Sequence, residues 1–177
     1  APAPRAAADE FRPAFRTVKE THESVLSAAA LVREVAFRQR RETHYREQLA
    51  GALALYHGCV AEMATGEGKT LTATIPAVLA GWRGKGCHVI TVNDYLAQRD
   101  ADLMKGIYNF CGLTVASLNG DAKPAERRAA YLADITYCTN KEVCADFLRD
   151  RLSLGKQLSG SAAILGKIVG GSNGGGT

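Results

Sequence analysis

The segment Ala61–Thr70, AEMATGEGKT, joins a short apolar run to a helical pattern and contains two glycines separated by one residue. Gly66 and Gly68 have no Cβ atom, so the backbone can adopt positive φ angles and direct several N–H groups toward one anion. The start of a helix at the same place adds a positive partial charge. This arrangement is typical of phosphate binding, and its strand-then-helix setting predicts a parallel α/β sheet.

The side chains around these glycines extend the same chemistry. Lys69 is expected to place its ammonium on the β- and γ-phosphates of ATP, and the Thr70 hydroxyl to ligate Mg²⁺. Thr65 and Glu67 are expected to shape the loop. Met63 stands where the general motif G-x-x-x-x-G-K-[ST] has glycine, a replacement that helicase-like loops tolerate. The alternative is a glycine turn that binds no nucleotide.

Composition divides the chain into four parts. Residues 1–10 are rich in Ala and Pro and are expected to be disordered, whereas 11–57 carry apolar residues at helical spacing and predict two or three helices. Residues 58–154 alternate between β-rich runs and amphipathic segments, which is typical of parallel βα units. Residues 155–177 are rich in glycine and predict a flexible tail.

The pattern within 58–154 predicts individual strands and helices. Strands are predicted over 59–63, 88–92, 114–118 and 135–138, and helices over 68–82, 94–110, 124–132 and 141–152. Asp94 is expected to cap its helix and Pro124 to occupy a first turn. Pro76 is expected to bend the first of these helices.

Charge and cysteine content exclude some classes of protein. The net charge of +4 is mild, and basic residues alternate with acidic ones, so specific nucleic-acid binding is not expected. The five cysteines include no C-x-x-C pair and no zinc-site spacing, which favours a reducing, cytosolic compartment. Neither a signal peptide nor a membrane span is expected from these 177 residues, so membrane contact would be peripheral or through a partner.

The longest recognisable stretch is VAEMATGEGKTLTATIPAVLAGWRGKGCHVITVNDYLAQRDADLM, residues Val60–Met104. It resembles the SecA preprotein translocase motor ATPases, and TVNDYLAQRD is its most discriminating part. ERRAAYLADITYCTNKEVCADFLRDRL, Glu126–Leu152, is similar to a later SecA segment, and LVREV with HYREQL resembles the motifs before the loop. The similarity covers about residues 30–154.

The resemblance implies roles for residues outside the loop. Gln48 matches the glutamine that reads adenine, and Asp94, Arg99 and Asp100 match a motif that links the nucleotide site to moving parts. The alternative for that motif is helix capping and surface ion pairs. Several positions differ from the usual family residue and suggest a divergent SecA-like member: Arg46, Ala64, Cys138, Lys141 and Ala145.

The resemblance also implies a fold and an activity. The expected fold is α/β, a P-loop NTPase sheet of the RecA or helicase-like kind, incomplete and preceded by a helical segment. The implied activity couples ATP binding and hydrolysis to movement of unfolded preproteins through a SecYEG-type channel, at the cytoplasmic side of the inner membrane. A homodimer is a further implied partner.

Hydrolysis in this family needs a D-E-x-D strand and an arginine from a second domain, and these 177 residues contain no D-E-x-D. The chain is therefore expected to bind ATP without turnover, which would belong to a longer parent. Two alternatives stay open: a superfamily 2 helicase fragment acting on RNA or DNA, and a non-catalytic interaction module. TVNDYLAQRD and the absence of an aromatic-rich basic stretch weigh against the helicase.

Overall fold

The computed structural model describes residues 4–16 and 20–153. Residues up to Thr139 belong to one compact unit, and a second unit begins at Asn140. The elements of the first unit are α1 (Pro4–Arg16), α2 (His22–Arg40), α3 (Arg46–Tyr56), α4 (Lys69–Thr72), α5 (Thr74–Trp82), β1 (Cys87–Thr91), α6 (Asp94–Phe110), β2 (Val115–Ser117), α7 (Pro124–Tyr131) and β3 (Ile135–Thr139).

The sheet has three parallel strands in the order β1-β3-β2. Cys87 pairs with Ile135 on one side of β3, and Val115 pairs with Ile135 on the other. All five residues of β3 are buried, as expected for the central strand of a parallel sheet covered by helices. Within the described part of the chain, the outer edge of β1 pairs with no strand. The α/β prediction with an open parallel sheet is therefore confirmed.

The predicted strand over 59–63 is wrong. These residues have no regular structure, and Val60 is 96% exposed. A strand forms only where a neighbouring strand accepts and donates its backbone hydrogen bonds, and the three described strands pair only with one another. The apolar run before the phosphate loop therefore lacks a partner among the residues described.

The helices follow the prediction closely. α6 spans Asp94–Phe110 as predicted, but its N-cap is Asn93, whose side chain accepts from the N–H of Leu96, and not Asp94. Pro124 occupies the first turn of α7 as predicted. The predicted helix over 68–82 is instead two helices, α4 and α5, which meet at Ala73.

The break between α4 and α5 follows from Pro76. In a continuous helix, residue 76 would donate its N–H to the carbonyl of Thr72. Proline has no N–H to donate, and its ring would clash with that carbonyl. Pro76 therefore lies in the first turn of α5, where a missing donor is tolerated.

The N-terminal helices share a core with the sheet. Residues 4–10, predicted to be disordered, lie in α1, which corrects that prediction for this segment. Phe11 and Phe15 of α1 pack on Trp82 of α5, with ring centroids 6.2 and 5.6 Å away. Burial of these rings holds α1 in place, and local composition does not reveal such a contact.

The second unit contains a helix, α8, over 140–153, close to the predicted 141–152. The predicted flexible tail, 155–177, and residues 1–3 lie outside the described residues. Among the helices in 4–16 and 20–153, none has the length and apolar character needed to cross a bilayer.

Candidate functional site

The phosphate-loop segment is a surface bend that leads directly into a helix. Gly66 and Gly68 have φ angles of 88° and 79°, in the left-handed region that favours glycine. α4 begins at Lys69, immediately after the second glycine. The predicted positive φ angles and the helix after the loop are both confirmed.

The loop contains several backbone N–H groups without a hydrogen-bond acceptor among the described residues. These groups belong to Thr65, Gly66, Gly68, Lys69 and Thr70. The first N–H groups of a helix have no acceptor within the helix and carry the positive ends of their dipoles, so they favour a negatively charged partner. The segment therefore offers a cluster of donors to an anion.

Side chains hold the loop in this shape. The Lys69 ammonium donates to the carbonyl of Ala64 at 2.7 Å, and the Glu67 carboxylate accepts from the N–H of Ala64 at 3.2 Å. Glu67 thus shapes the loop by a direct hydrogen bond, whereas the Thr65 side chain makes no hydrogen bond within the described ranges. Lys69 is exposed, so its ammonium can exchange the Ala64 carbonyl for a phosphate oxygen.

Gln48 connects α3 to the loop. Its Oε1 accepts from the N–H of Tyr45 at 2.9 Å, its Nε2 donates to the carbonyl of Glu67 at 2.8 Å, and the residue is only 7% exposed. One N–H of Nε2 stays available for a further acceptor. A cavity of about 330 Å³ lies at this junction and is lined by Tyr45, Glu47, Gln48, Met63, Gly66 and Glu67.

The three residues of the expected coupling motif lie in two places. Asp100 is near the loop, because the Thr70 hydroxyl donates to its Oδ2 at 3.3 Å. Arg99 donates to the other oxygen of Asp100, at 2.6 Å from Nη2 and 2.9 Å from Nε. Asp94 is the first residue of α6, and its carboxylate accepts from the N–H of Gly120 at 2.9 Å. The structure brings Asp100 and Arg99 to the loop, but not Asp94.

His44 lies behind the loop and was not among the predicted site residues. Its Nε2 is 2.9 Å from the carbonyl of Leu71 and 3.2 Å from Oγ1 of Thr74. Nδ1 is buried with no hydrogen-bond partner among the described atoms. Burial lowers the pKa of His44 below its usual value, so the neutral ring is favoured. Its partners are 27 and 30 residues away, and no local sequence signal points to them.

His44 should make stability depend on pH. A pKa that is lower in the folded than in the unfolded chain means that the unfolded chain binds more protons, so stability falls as pH drops below about 6.5. We expect His44→Gln, which does not titrate, to lose less stability than wild type between pH 7.5 and 5.5. Urea unfolding at both values measures this, with the exposed His22→Gln as the matched control. Equal pH dependence in His44→Gln and wild type would contradict the prediction.

Comparison with known proteins identifies the family. A family model described as the SecA DEAD-like domain matches residues 4–166. The chain belongs to this family. The SecA DEAD-like domain is a P-loop NTPase fold, in agreement with the open parallel sheet and the glycine loop. Membership implies nucleotide binding and favours the SecA interpretation over the helicase alternative.

The SecA relatives are long proteins. The chain is 53% identical over 131 residues to "Protein translocase subunit SecA 2" of Magnetococcus marinus, covering 74% of this chain and 20% of the relative. It is 49% identical over 149 residues to "Protein translocase subunit SecA 1" of Thermobifida fusca, covering 84% and 15%. Identity to "Protein translocase subunit SecA" of Francisella philomiragia is 53% over 130 residues, covering 73% and 14%. The chain therefore spans a fifth or less of these relatives.

The loop of this SecA-family chain fits a nucleotide polyphosphate. Its unpaired amides, its two left-handed glycines and the Lys69 ammonium are all suited to phosphate oxygens. The described residues contain no group of three or more His, Cys, Asp or Glu side chains that could hold a metal ion.

Proposed function

We propose that this chain forms the phosphate-holding part of the ATP site of a SecA-like protein translocase. The observation that carries the proposal is the cluster of unpaired loop amides at the start of α4, beside the Lys69 ammonium. In this proposal Gly66 and Gly68 allow the amides to surround the terminal phosphates, and Lys69 leaves the Ala64 carbonyl to bind them. Glu67 keeps the loop in shape by accepting from the N–H of Ala64, and Thr65 contributes its backbone N–H to the loop amides.

The adenine end of the nucleotide is proposed to occupy the cavity beside Gln48. The cavity adjoins the loop, and Gln48 and Met63 both line it. The remaining N–H of Gln48 can donate to a ring nitrogen of adenine, while the Met63 thioether offers apolar contact to the base. Thr70 is proposed to ligate the Mg²⁺ that accompanies ATP, which supplies charge neutralisation between the phosphates.

The activity of the whole protein is a wider proposal. The relatives are named as protein translocase subunits, which supports coupling of ATP binding and hydrolysis to preprotein movement. The proposed partners are a SecYEG-type membrane channel, an unfolded preprotein and a second copy of the protein. The proposed location is the cytoplasmic side of the inner membrane, by peripheral association.

Turnover is proposed to need residues beyond these 177. These 177 residues contain no D-E-x-D motif to position water, and among the described residues the outer edge of β1 pairs with no strand, so a further strand could add there. We therefore expect the chain to bind an ATP analogue with no multiple-turnover hydrolysis. A phosphate-release assay with excess ATP measures this, and sustained release above that of a Lys69→Ala variant would contradict it.

The Lys69→Ala substitution tests phosphate binding directly. We expect the affinity for a fluorescent non-hydrolysable ATP analogue to fall by about 10–100-fold, because charge-assisted hydrogen bonds contribute about 1.5–3 kcal/mol. The matched control is Lys105→Ala, which removes an exposed lysine of α6. Fluorescence titration measures all three proteins, and equal affinity for wild type and Lys69→Ala would remove the proposal.

A further inference from the structure

We propose that Asp100 is a positioning residue that accepts a hydrogen bond from the Thr70 hydroxyl and so directs a lone pair of Thr70 Oγ1 toward a divalent cation. The inference rests on the proposed function, because it requires a nucleotide and its cation at the loop. It assigns a chemical task to one residue of a motif that the resemblance links only to moving parts.

The two oxygens of the Asp100 carboxylate have different partners. Oδ2 is 3.3 Å from the hydroxyl of Thr70, on the helix that begins the phosphate site. Oδ1 accepts both bonds from Arg99, at 2.6 and 2.9 Å. Asp100 is 7% exposed, so its surroundings and not solvent decide which way the carboxylate faces. Arg99 fixes Oδ1 and thereby presents Oδ2 to the hydroxyl.

The chemistry of a threonine hydroxyl explains why this acceptor matters. The hydroxyl has one proton and two lone pairs, and it can ligate a cation only through a lone pair that faces outward. An acceptor on the protein side receives the hydrogen bond of the hydroxyl and so keeps a lone pair of the oxygen facing outward. The 3.3 Å distance is longer than the usual 2.7–2.8 Å, so the bond is weak as it stands. A hydroxyl whose oxygen is polarised by a cation is a stronger donor, which favours a shorter bond.

Two other aspartates of α6 show what capping or surface pairing looks like on this helix. Asp102 is exposed and accepts from Gln98 at 2.7 Å, and Asp94 accepts from the N–H of Gly120 at 2.9 Å. Neither makes a hydrogen bond to the phosphate loop. Asp100 is the buried member of the three and contacts the proposed cation ligand, so its placement differs from theirs in the way that the inference requires.

The experiment uses Asp100→Asn in the full chain. Because Arg99 donates to the oxygen that it contacts, the new amide should place its carbonyl toward Arg99 and its NH₂ toward Thr70. Thr70 then loses its acceptor and receives a donor on the lone pair that the cation needs. Affinity for the fluorescent ATP analogue is measured with Mg²⁺ and with EDTA. We expect the gain in affinity caused by Mg²⁺ to fall by about 5–10-fold, with the metal-free affinity changed less than about twofold.

Control variants separate this role from a structural one. Asp102→Asn, at the exposed position on α6, should keep the full Mg²⁺ gain. Thr70→Ser keeps the hydroxyl and should keep most of the gain, whereas Asp100→Asn should have no further effect in a Thr70→Ala background. A fall in affinity that is equal with and without Mg²⁺, or an unchanged Mg²⁺ gain, would overturn the inference.

Failure of the inference is distinguishable from failure of the proposed function. Wild type that binds no analogue in either buffer would remove the proposed function, whereas binding with a normal Mg²⁺ gain in Asp100→Asn removes only the positioning role. If Asp100→Asn does not fold, Arg99→Gln provides the test, since Arg99 is half-exposed and its removal releases the carboxylate. We expect a reduction of the Mg²⁺ gain of about 2–3-fold there, and an unchanged gain would count against the inference.

Discussion

Replacing Trp82 by alanine is expected to lower the free energy of unfolding by about 3–5 kcal/mol, the range typical of large aromatic residues lost from a core. Trp82 is fully buried, and its indole N–H donates to the carbonyl of Cys111 at 3.0 Å. Its ring also contacts Phe11 and Phe15 of α1. The substitution should therefore release α1 as well as leave a cavity, and urea unfolding followed by circular dichroism measures the loss.

Trp82→Phe is the matched control for this prediction. Phenylalanine keeps an aromatic ring against α1 but cannot donate to the Cys111 carbonyl, so we expect a loss of about 1–2 kcal/mol. A loss below about 1 kcal/mol in Trp82→Ala would mean that α1 does not pack on α5 in solution.

Replacing Gly68 by alanine is expected to affect both the loop and nucleotide binding. The φ angle of 79° disfavours any residue with a Cβ atom by about 1–2 kcal/mol. The added Cβ would also lie 2.4 Å from Nε2 of Gln48, which must move and give up its bond to the Glu67 carbonyl. We expect affinity for the ATP analogue to fall by about 10–100-fold, since about 1.4 kcal/mol corresponds to tenfold.

Gly58→Ala separates the two causes. Gly58 has nearly the same φ angle, 78°, but an added Cβ there would have nothing within 4 Å. This variant should lose stability from backbone strain while keeping its affinity for the analogue. If Gly58→Ala and Gly68→Ala weakened binding equally, the contact between Gln48 and the loop would have no part in it. Fluorescence titration and urea unfolding of both variants provide the comparison.

Local sequence was sufficient where the determinants are themselves local. The limits of α6 follow from a capping side chain before it and Gly112 after it, and the phosphate loop follows from the glycine spacing before a helix. Even there, the prediction of Asp94 as the N-cap was wrong, because Asn93, one residue earlier, also suits that position and caps the helix.

Elements that depend on distant partners were not predictable in this way. Ala8, Phe11 and Phe15 lie on one face of α1, but their packing against α2 and against Trp82 of α5, and not the local Ala/Pro-rich composition, stabilises this helix. The strand expected over 59–63 fails for the opposite reason, since its apolar pattern is present and its partner is not among the described residues. Helix and strand propensities are weak beside such tertiary contacts.

The candidate site shows the same difference between local features, which the sequence predicts, and distant contacts, which it does not. The loop residues were identified from their chemistry, and Gln48 from resemblance. The 3.3 Å hydrogen bond between Thr70 and Asp100 joins residues 30 positions apart. The contacts of the buried His44 ring join residues 27 and 30 positions apart. Nothing in the spacing of these residues along the chain indicates either contact.

The strand order β1-β3-β2 has a consequence for biosynthesis. β1 and β2 do not pair with each other, and both depend on β3, the last of the three to leave the ribosome. The emerging chain can form α2 to α6 while none of the sheet's hydrogen bonds exists, because every pairing in it is non-local. Until β3 has been synthesised, the backbone N–H and C=O groups along the facing edges of β1 and β2 lack their partner strand, and unpaired strand edges are open to non-native pairing with other chains.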